Sequence, residues 1–209
     1  FDFVFRMFAT GETVLPAGGM QQIPDQLVER LPPGTIRLGV TVDALVREGG
    51  RVRGARLASG EEVRGSGGVI ATGGDIAARL VGDPRMMGFP GWVSTTTVYF
   101  ETGGPPPVTE PILMLDGDGT GPVNHLAFPS VVAPGYAPAG RGLAAANCVG
   151  ERVENDEDLE GAIRAQLKRW FTGARPGAQN VVDGWQRLRV VRIREALPET
   201  GPLSFRIES

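Results

Sequence analysis

The residue types that most often perform acid–base, nucleophilic or metal chemistry are sparse in this chain. There is one histidine, His125, one cysteine, Cys148, and one lysine, Lys168. An imidazole titrates in the range that suits a general acid or base. A lone histidine in the run Asn124-His125-Leu126, however, reads as a packed or hydrogen-bonded strand residue. Cys148 sits in an apolar strand-like run and reads as inert core, since a thiol in apolar surroundings stays protonated. One cysteine and one histidine can form neither an internal disulfide nor a Cys/His zinc set. The carboxylates Glu151, Glu154, Asp156, Glu157 and Asp158 crowd one stretch, but they lack the spacing and turn glycine of a calcium loop. They read as a solvated turn followed by an acidic first helical turn. No metal ligand, and no catalytic acid, base or nucleophile, is assigned.

The glycine runs are the other place where chemistry could reside. No Gly-x-Gly-x-x-Gly occurs; Gly117-Asp118-Gly119-Thr120-Gly121 comes nearest, but Pro122 stands where the third glycine should fall and no helical pattern follows, so it reads as a turn. Lys168 follows Leu167 on a helical pattern and not a phosphate loop, and no Gly-x-Ser-x-Gly elbow exists, so nucleoside-triphosphate and serine-hydrolase chemistry lose their usual supports. Of the five glycine pairs in the chain, Gly18-Gly19 before Met20 and Gly73-Gly74 after Thr72 are singled out.

The elements that must position these residues can be read from periodicity. In residues 23–31, Ile23, Leu27, Val28 and Leu31 fall on one helical face, and Pro32-Pro33-Gly34 stops the helix. Ile36, Leu38, Val40 and Val42 alternate with polar residues, and the pattern continues through Leu45 and Val46, which predicts a half-buried strand over 36–46. Glu48-Gly49-Gly50 turns the chain into a strand over 52–57, Ser59-Gly60-Glu61 turns it again, and Val69-Ile70-Ala71 reads as a short strand. Strand-like runs follow over 93–101, 112–115, 123–132 and 143–149, separated by proline and glycine turns. Residues 156–171 place Leu159, Ile163, Leu167 and Trp170 on one stripe, with Asn155 or Asp156 as N-cap and acidic residues in the first turn. Residues 173–177 read as a loop and 188–193 as a last strand. Trp170 and Phe171 read as core anchors, and Trp185, on a loop, is a candidate to face a ligand.

The fold class expected is α+β: a helix, strand, hairpin and strand over residues 1–80, then a mostly antiparallel sheet with a packed helix over 81–209. A chain of 209 residues with 41% hydrophobic and 22% charged residues is ordinary globular usage and buries roughly 70% of its unfolded surface without a staple. A net charge of −3 and a pI near 5.3, with no arginine stripe interleaved with aromatics, argue against a nucleic-acid partner. No apolar run approaches the roughly 20 residues of a membrane span, and residues 1–8 lack the basic region and cleavage site of a signal peptide. A cytoplasmic location is expected. The start on Phe1 is what an excerpt of a longer polypeptide would show.

Residues 15–20, the strand ending at Val42, and residues 69–74 resemble the central part of FAD-dependent amine oxidoreductases and phytoene desaturase-like flavoproteins. Gly121-Pro122-Val123-Asn124, residues 133–138 and Ala196-Leu197-Pro198 continue the likeness in order. The resemblance implies a partial FAD- or NAD(P)-type binding unit and a sheet that forms the substrate side. It implies cofactor contacts at Gly18, Gly19 and Met20, where a backbone without side chains allows close approach to the flavin. It implies a further backbone contact to the adenine at Val42, and closure beside the cofactor at Thr72, Gly73 and Gly74. The chemistry implied is hydride transfer to FAD from a small hydrophobic substrate. Because the phosphate loop, whose helix N-terminus meets the pyrophosphate in such folds, is not found, the chain alone is expected to bind FAD weakly or not at all. The competing expectation is a non-catalytic binding module or half of a split flavoprotein, with a partner chain or self-association through exposed apolar surface.

Overall fold

The computed structural model describes residues 6, 10, 14–83, 91–172 and 178–199, the side chains of 178 and 179 excepted. The expected loop over 173–177 and the aromatic stretch 1–8 lie outside these, apart from Arg6. The described residues belong to two compact units, one drawn from Val28–Gly91 and Pro198–Ser209, the other from Phe1–Leu27 and Trp92–Leu197. Helix α1, Gln22–Val28, buries none of its residues and stops three residues short of the expected end.

The smaller unit is built on a three-stranded antiparallel sheet of order β1-β2-β3, with β1 Val42–Glu48, β2 Arg51–Leu57 and β3 Glu62–Arg64. Glu48 pairs with Arg51 across a two-residue loop in which Gly49 and Gly50 both have positive φ. That geometry matches the twist of a hairpin and is readily adopted by glycine. Helix α2, Gly74–Val81, follows and buries Ala78.

Two expected strands in this unit are corrected. Residues 36–41 are not a strand despite their alternation, and β1 begins only at Val42. Alternation makes a strand only where a neighbouring strand accepts its hydrogen bonds. Here Leu38 is 88% exposed, and the segment is tied down by the Arg37–Glu61 fork at 2.9 and 2.8 Å and by the Ala58 amide donating to the Thr41 carbonyl. Residues 69–71 are likewise irregular, with Val69 93% exposed. β3 and α2 were not expected: β3 is short and charged, and the Gly73-Gly74 opening of α2 masks the Ile76–Leu80 spacing, because glycine is a poor helix former.

The larger unit holds a five-stranded sheet of order β5-β6-β7-β4-β8, with β4 Trp92–Thr102, β5 Leu113–Leu115, β6 His125–Ala127, β7 Gly142–Val149 and β8 Gln186–Pro198. The run expected over 123–132 splits into β6 and a helical turn α3, Pro129–Val132, with proline at its first position, where its missing N–H leaves no bond unmade. Helix α4 spans Asp156–Phe171, the expected bounds, and the Asn155 side chain accepts the Asp158 amide at 2.8 Å as N-cap.

One face of the sheet carries Val98, Phe100, Leu126, Ala144, Ala146 and Cys148, which form a single core with Leu159, Ile163, Leu167 and Phe171 of α4. Gln166 is fully buried on the same helix and makes two bonds to one residue, accepting the Val123 amide at 2.7 Å and donating to the Val123 carbonyl at 2.9 Å. Gly121 makes room for it, since a Cβ there would lie 2.2 Å from Gln166 Oε1. Trp185 is corrected from a ligand-facing residue to core. It is 3% exposed and rings Phe100, Phe128 and Phe171 surround it at 5.8, 5.9 and 6.4 Å. Its low polarity and large area make burial the favoured outcome.

Candidate functional site

The seven residues implied as cofactor contacts divide between the two units. Gly18, Gly19 and Met20 belong to the larger unit, and Val42, Thr72, Gly73 and Gly74 to the smaller. Gly19 has φ of +94°, which favours glycine, and nothing lies within 4 Å of where its Cβ would stand. The Gly18 amide donates to Gln22 Oε1 at 2.6 Å, and the Pro16 carbonyl accepts the Tyr136 hydroxyl at 2.7 Å. The turn is thus fixed at both ends, with open space beside Gly19 and the Gln22 side chain covering Gly18, where a Cβ would lie 2.6 Å from Gln22 Cδ.

In the smaller unit, Val42 and Thr72 line one cavity of about 550 Å³ together with Leu45, Val52, Ile70 and Leu80. The wall is largely apolar. Its two guanidinium groups are committed, Arg47 to the Val81 carbonyl at 2.8 Å and Arg64 to Glu48 and Glu62. Such a wall fits the flat, weakly polar adenine end of a dinucleotide. Neither guanidinium is left free to meet a diphosphate.

The sheet of the larger unit presents its second face away from the core. Pairing places Leu115, His125, Asn147 and Thr97 in one row across β5, β6, β7 and β4, and Leu113, Ala127, Ala145 and Tyr99 in the next. Asn147 Nδ2 donates to Thr95 Oγ1 and Thr97 Oγ1, both at 2.9 Å. His125 is half-buried, Nδ1 lies 3.1 Å from Asn124 Oδ1, and burial holds its pKa below the usual histidine value, so the ring is neutral at pH 7. No sequence signal marked Asn147 or Thr97, because threonines in strands and an asparagine among alanines are ordinary until register brings them together.

Cys148 is buried, and burial pushes its thiol up to about 11, so it is no nucleophile at neutral pH. Carboxylates of the cluster form ion pairs, Asp156 with Arg192 at 2.6 Å and Glu157 with Arg187 at 3.3 Å, and Asp158 bonds the Asn155 cap. Among the described residues no group of three His, Cys, Asp or Glu could hold a metal.

Over residues 1–208 the chain matches the family model described as flavin containing amine oxidoreductase. No curated protein matches closely enough to count as a relative. Among solved structures the chain is similar to a candidate protoporphyrinogen oxidase from Exiguobacterium sp. 255-15, with a TM-score of 0.65, 17% identity, and coverage of 88% of this chain and 40% of that one. It is similar to reduced UDP-galactopyranose mutase, with a TM-score of 0.64 and 16% identity over 87% of this chain and 40% of that one. An oxidoreductase from Methanosarcina mazei follows at 0.56 and 15%, covering 77% and 38%. At these identities the likeness is one of fold. The chain spans about two fifths of the length of these structures.

Proposed function

Because the chain belongs to the flavin-containing amine oxidoreductase family, we propose that it is part of an FAD-dependent oxidoreductase acting in the cytoplasm on a small, mainly hydrophobic substrate. Residues 1–80 would contribute to the cofactor side and 81–209 to the substrate side. Bound FAD would supply the hydride-accepting chemistry. The residues of this chain would bind and orient. Val42 and Thr72 would hold the adenine end, Gly73 and Gly74 would continue that wall, and Gly18, Gly19 and Met20 would lie near the flavin. The observation that carries the proposal is the cavity in which Val42 and Thr72, separated by thirty residues of sequence, stand in one apolar wall. Among the described residues no helix is long and apolar enough to cross a membrane.

The test is a thermal one, since a ligand that binds only the folded chain raises its melting temperature. Millimolar FAD is expected to raise the midpoint of the wild-type chain, and Val42→Arg, which fills the cavity mouth with charge, is expected to abolish the shift. A midpoint unchanged by FAD in the wild type contradicts the proposal. A second reading is favoured by the exposed, alternating segments around Leu38 and Val69: the chain works with a partner chain that covers them and supplies the diphosphate-binding loop. Concentration-dependent association, or co-purification of a second chain, distinguishes it.

A further inference from the structure

We propose that the face of the five-stranded sheet turned away from α4 binds an uncharged, mostly apolar small molecule through one hydroxyl group, with Asn147, Thr97 and His125 as its polar contacts. Calling this molecule the substrate rests on the function proposed above; the binding itself requires no flavin.

The inference starts from register. His125, Asn147 and Thr97 face one another on β6, β7 and β4, and directly opposed residues in an antiparallel pair stand about 5 Å apart. Three polar side chains therefore lie side by side on a half-buried face whose neighbouring row, Leu113, Ala127, Ala145 and Tyr99, is mostly apolar.

Their donor and acceptor roles follow from their partners. The Thr95 hydroxyl donates to the Cys148 carbonyl at 3.2 Å, so toward Asn147 its oxygen accepts. That fixes the Asn147 amide with Nδ2 toward the two threonines and leaves Oδ1 as an acceptor with no donor among the described residues. The Thr97 oxygen accepts from Nδ2, so its own hydrogen is left to donate. At His125 the acceptor Asn124 Oδ1 draws the proton to Nδ1, and Nε2 is left as a second acceptor.

Two acceptors flanking one donor suit a hydroxyl, which gives its hydrogen to Asn147 or His125 and takes one from Thr97. They do not suit a carboxylate, which would meet two lone pairs and no cation. Neither do they suit an ammonium group, since neither row carries a carboxylate. The leucines, alanines and the tyrosine ring offer contact to an apolar body.

His125 is the single histidine, so its ring gives one resonance that reports on this face alone. The full chain, labelled at histidine, is titrated with 1-octanol, di-n-butyl ether and octanoate. The expected result is a saturable shift with 1-octanol and binding about tenfold weaker for the ether, the loss of one donor corresponding to one hydrogen bond. Octanoate is expected to bind no better than the ether. Thr97→Val is expected to weaken 1-octanol and the ether alike by about tenfold, since each accepts the Thr97 hydrogen at its oxygen, and Thr97→Ser, which keeps the hydroxyl, to restore both. No saturable shift with 1-octanol, equal binding of all three probes, or a Thr97→Val variant that binds 1-octanol as the wild type does, overturns the proposal. A chain that fails to bind FAD but passes this test separates the two proposals.

Discussion

At the residue scale, the chemistry-bearing side chains are few, and their environments decide what they can do. His125 is the one group expected to titrate near neutrality. Burial disfavours its charged form, so its folded value lies below 6.5. A histidine whose folded value is lowered contributes stability that is whole above the ordinary value and is lost as pH falls from there through the folded value. His125→Gln is therefore expected to flatten the decline in melting temperature of the wild type as pH falls below 6.5, and the His125 resonance to titrate with a midpoint under 6.5. A midpoint above 6.5 contradicts the assigned environment. The inert fate of Cys148 was legible from its apolar local pattern. The roles of Asn147 and Thr97 were not, because each is defined by a partner fifty residues away.

At the element scale, legibility tracked how local the stabilisation is. α4 carries its own N-cap, acidic first turn, apolar stripe and basic last turn, so its bounds could be read from sixteen consecutive residues. β4 and β7 read as strand-like runs and pair along most of their length. Residues 36–41 alternate more cleanly and yet stay irregular, because pairing depends on another strand and the sequence pattern says nothing of whether one is present. Trp185 shows the same limit: its loop position was readable, its aromatic surroundings were not. The cap and the buried clamp on α4 should therefore differ in cost. Asn155→Ala is expected to lower stability by about 1 kcal/mol, the usual worth of a side-chain cap. Gln166→Leu should cost more, on the order of 2 kcal/mol, because it strands the buried amide and carbonyl of Val123 together. Chemical denaturation of the two variants checks this ranking, and an equal loss in both contradicts the clamp.

At the scale of the whole molecule, family membership and an apolar cavity meet a chain that spans about two fifths of the solved structures it resembles. The central claim is that the wall containing Val42 and Thr72 receives the adenine end of FAD. The cavity offers apolar contact without free cations, so affinity should be low, with a dissociation constant on the order of 0.1 to 1 mM, equivalent to roughly 4 to 5.5 kcal/mol. The adenine of free FAD stacks on its own flavin and quenches it, so withdrawal of the adenine into the cavity brightens the flavin. The most direct measurement is a fluorescence titration of FAD with the chain, repeated in the presence of AMP and of ribose 5-phosphate. A saturable rise in flavin emission that AMP reverses and ribose 5-phosphate leaves untouched is the predicted result. No rise at millimolar chain, or a rise that AMP does not reverse, contradicts the assignment of this cavity to the adenine end.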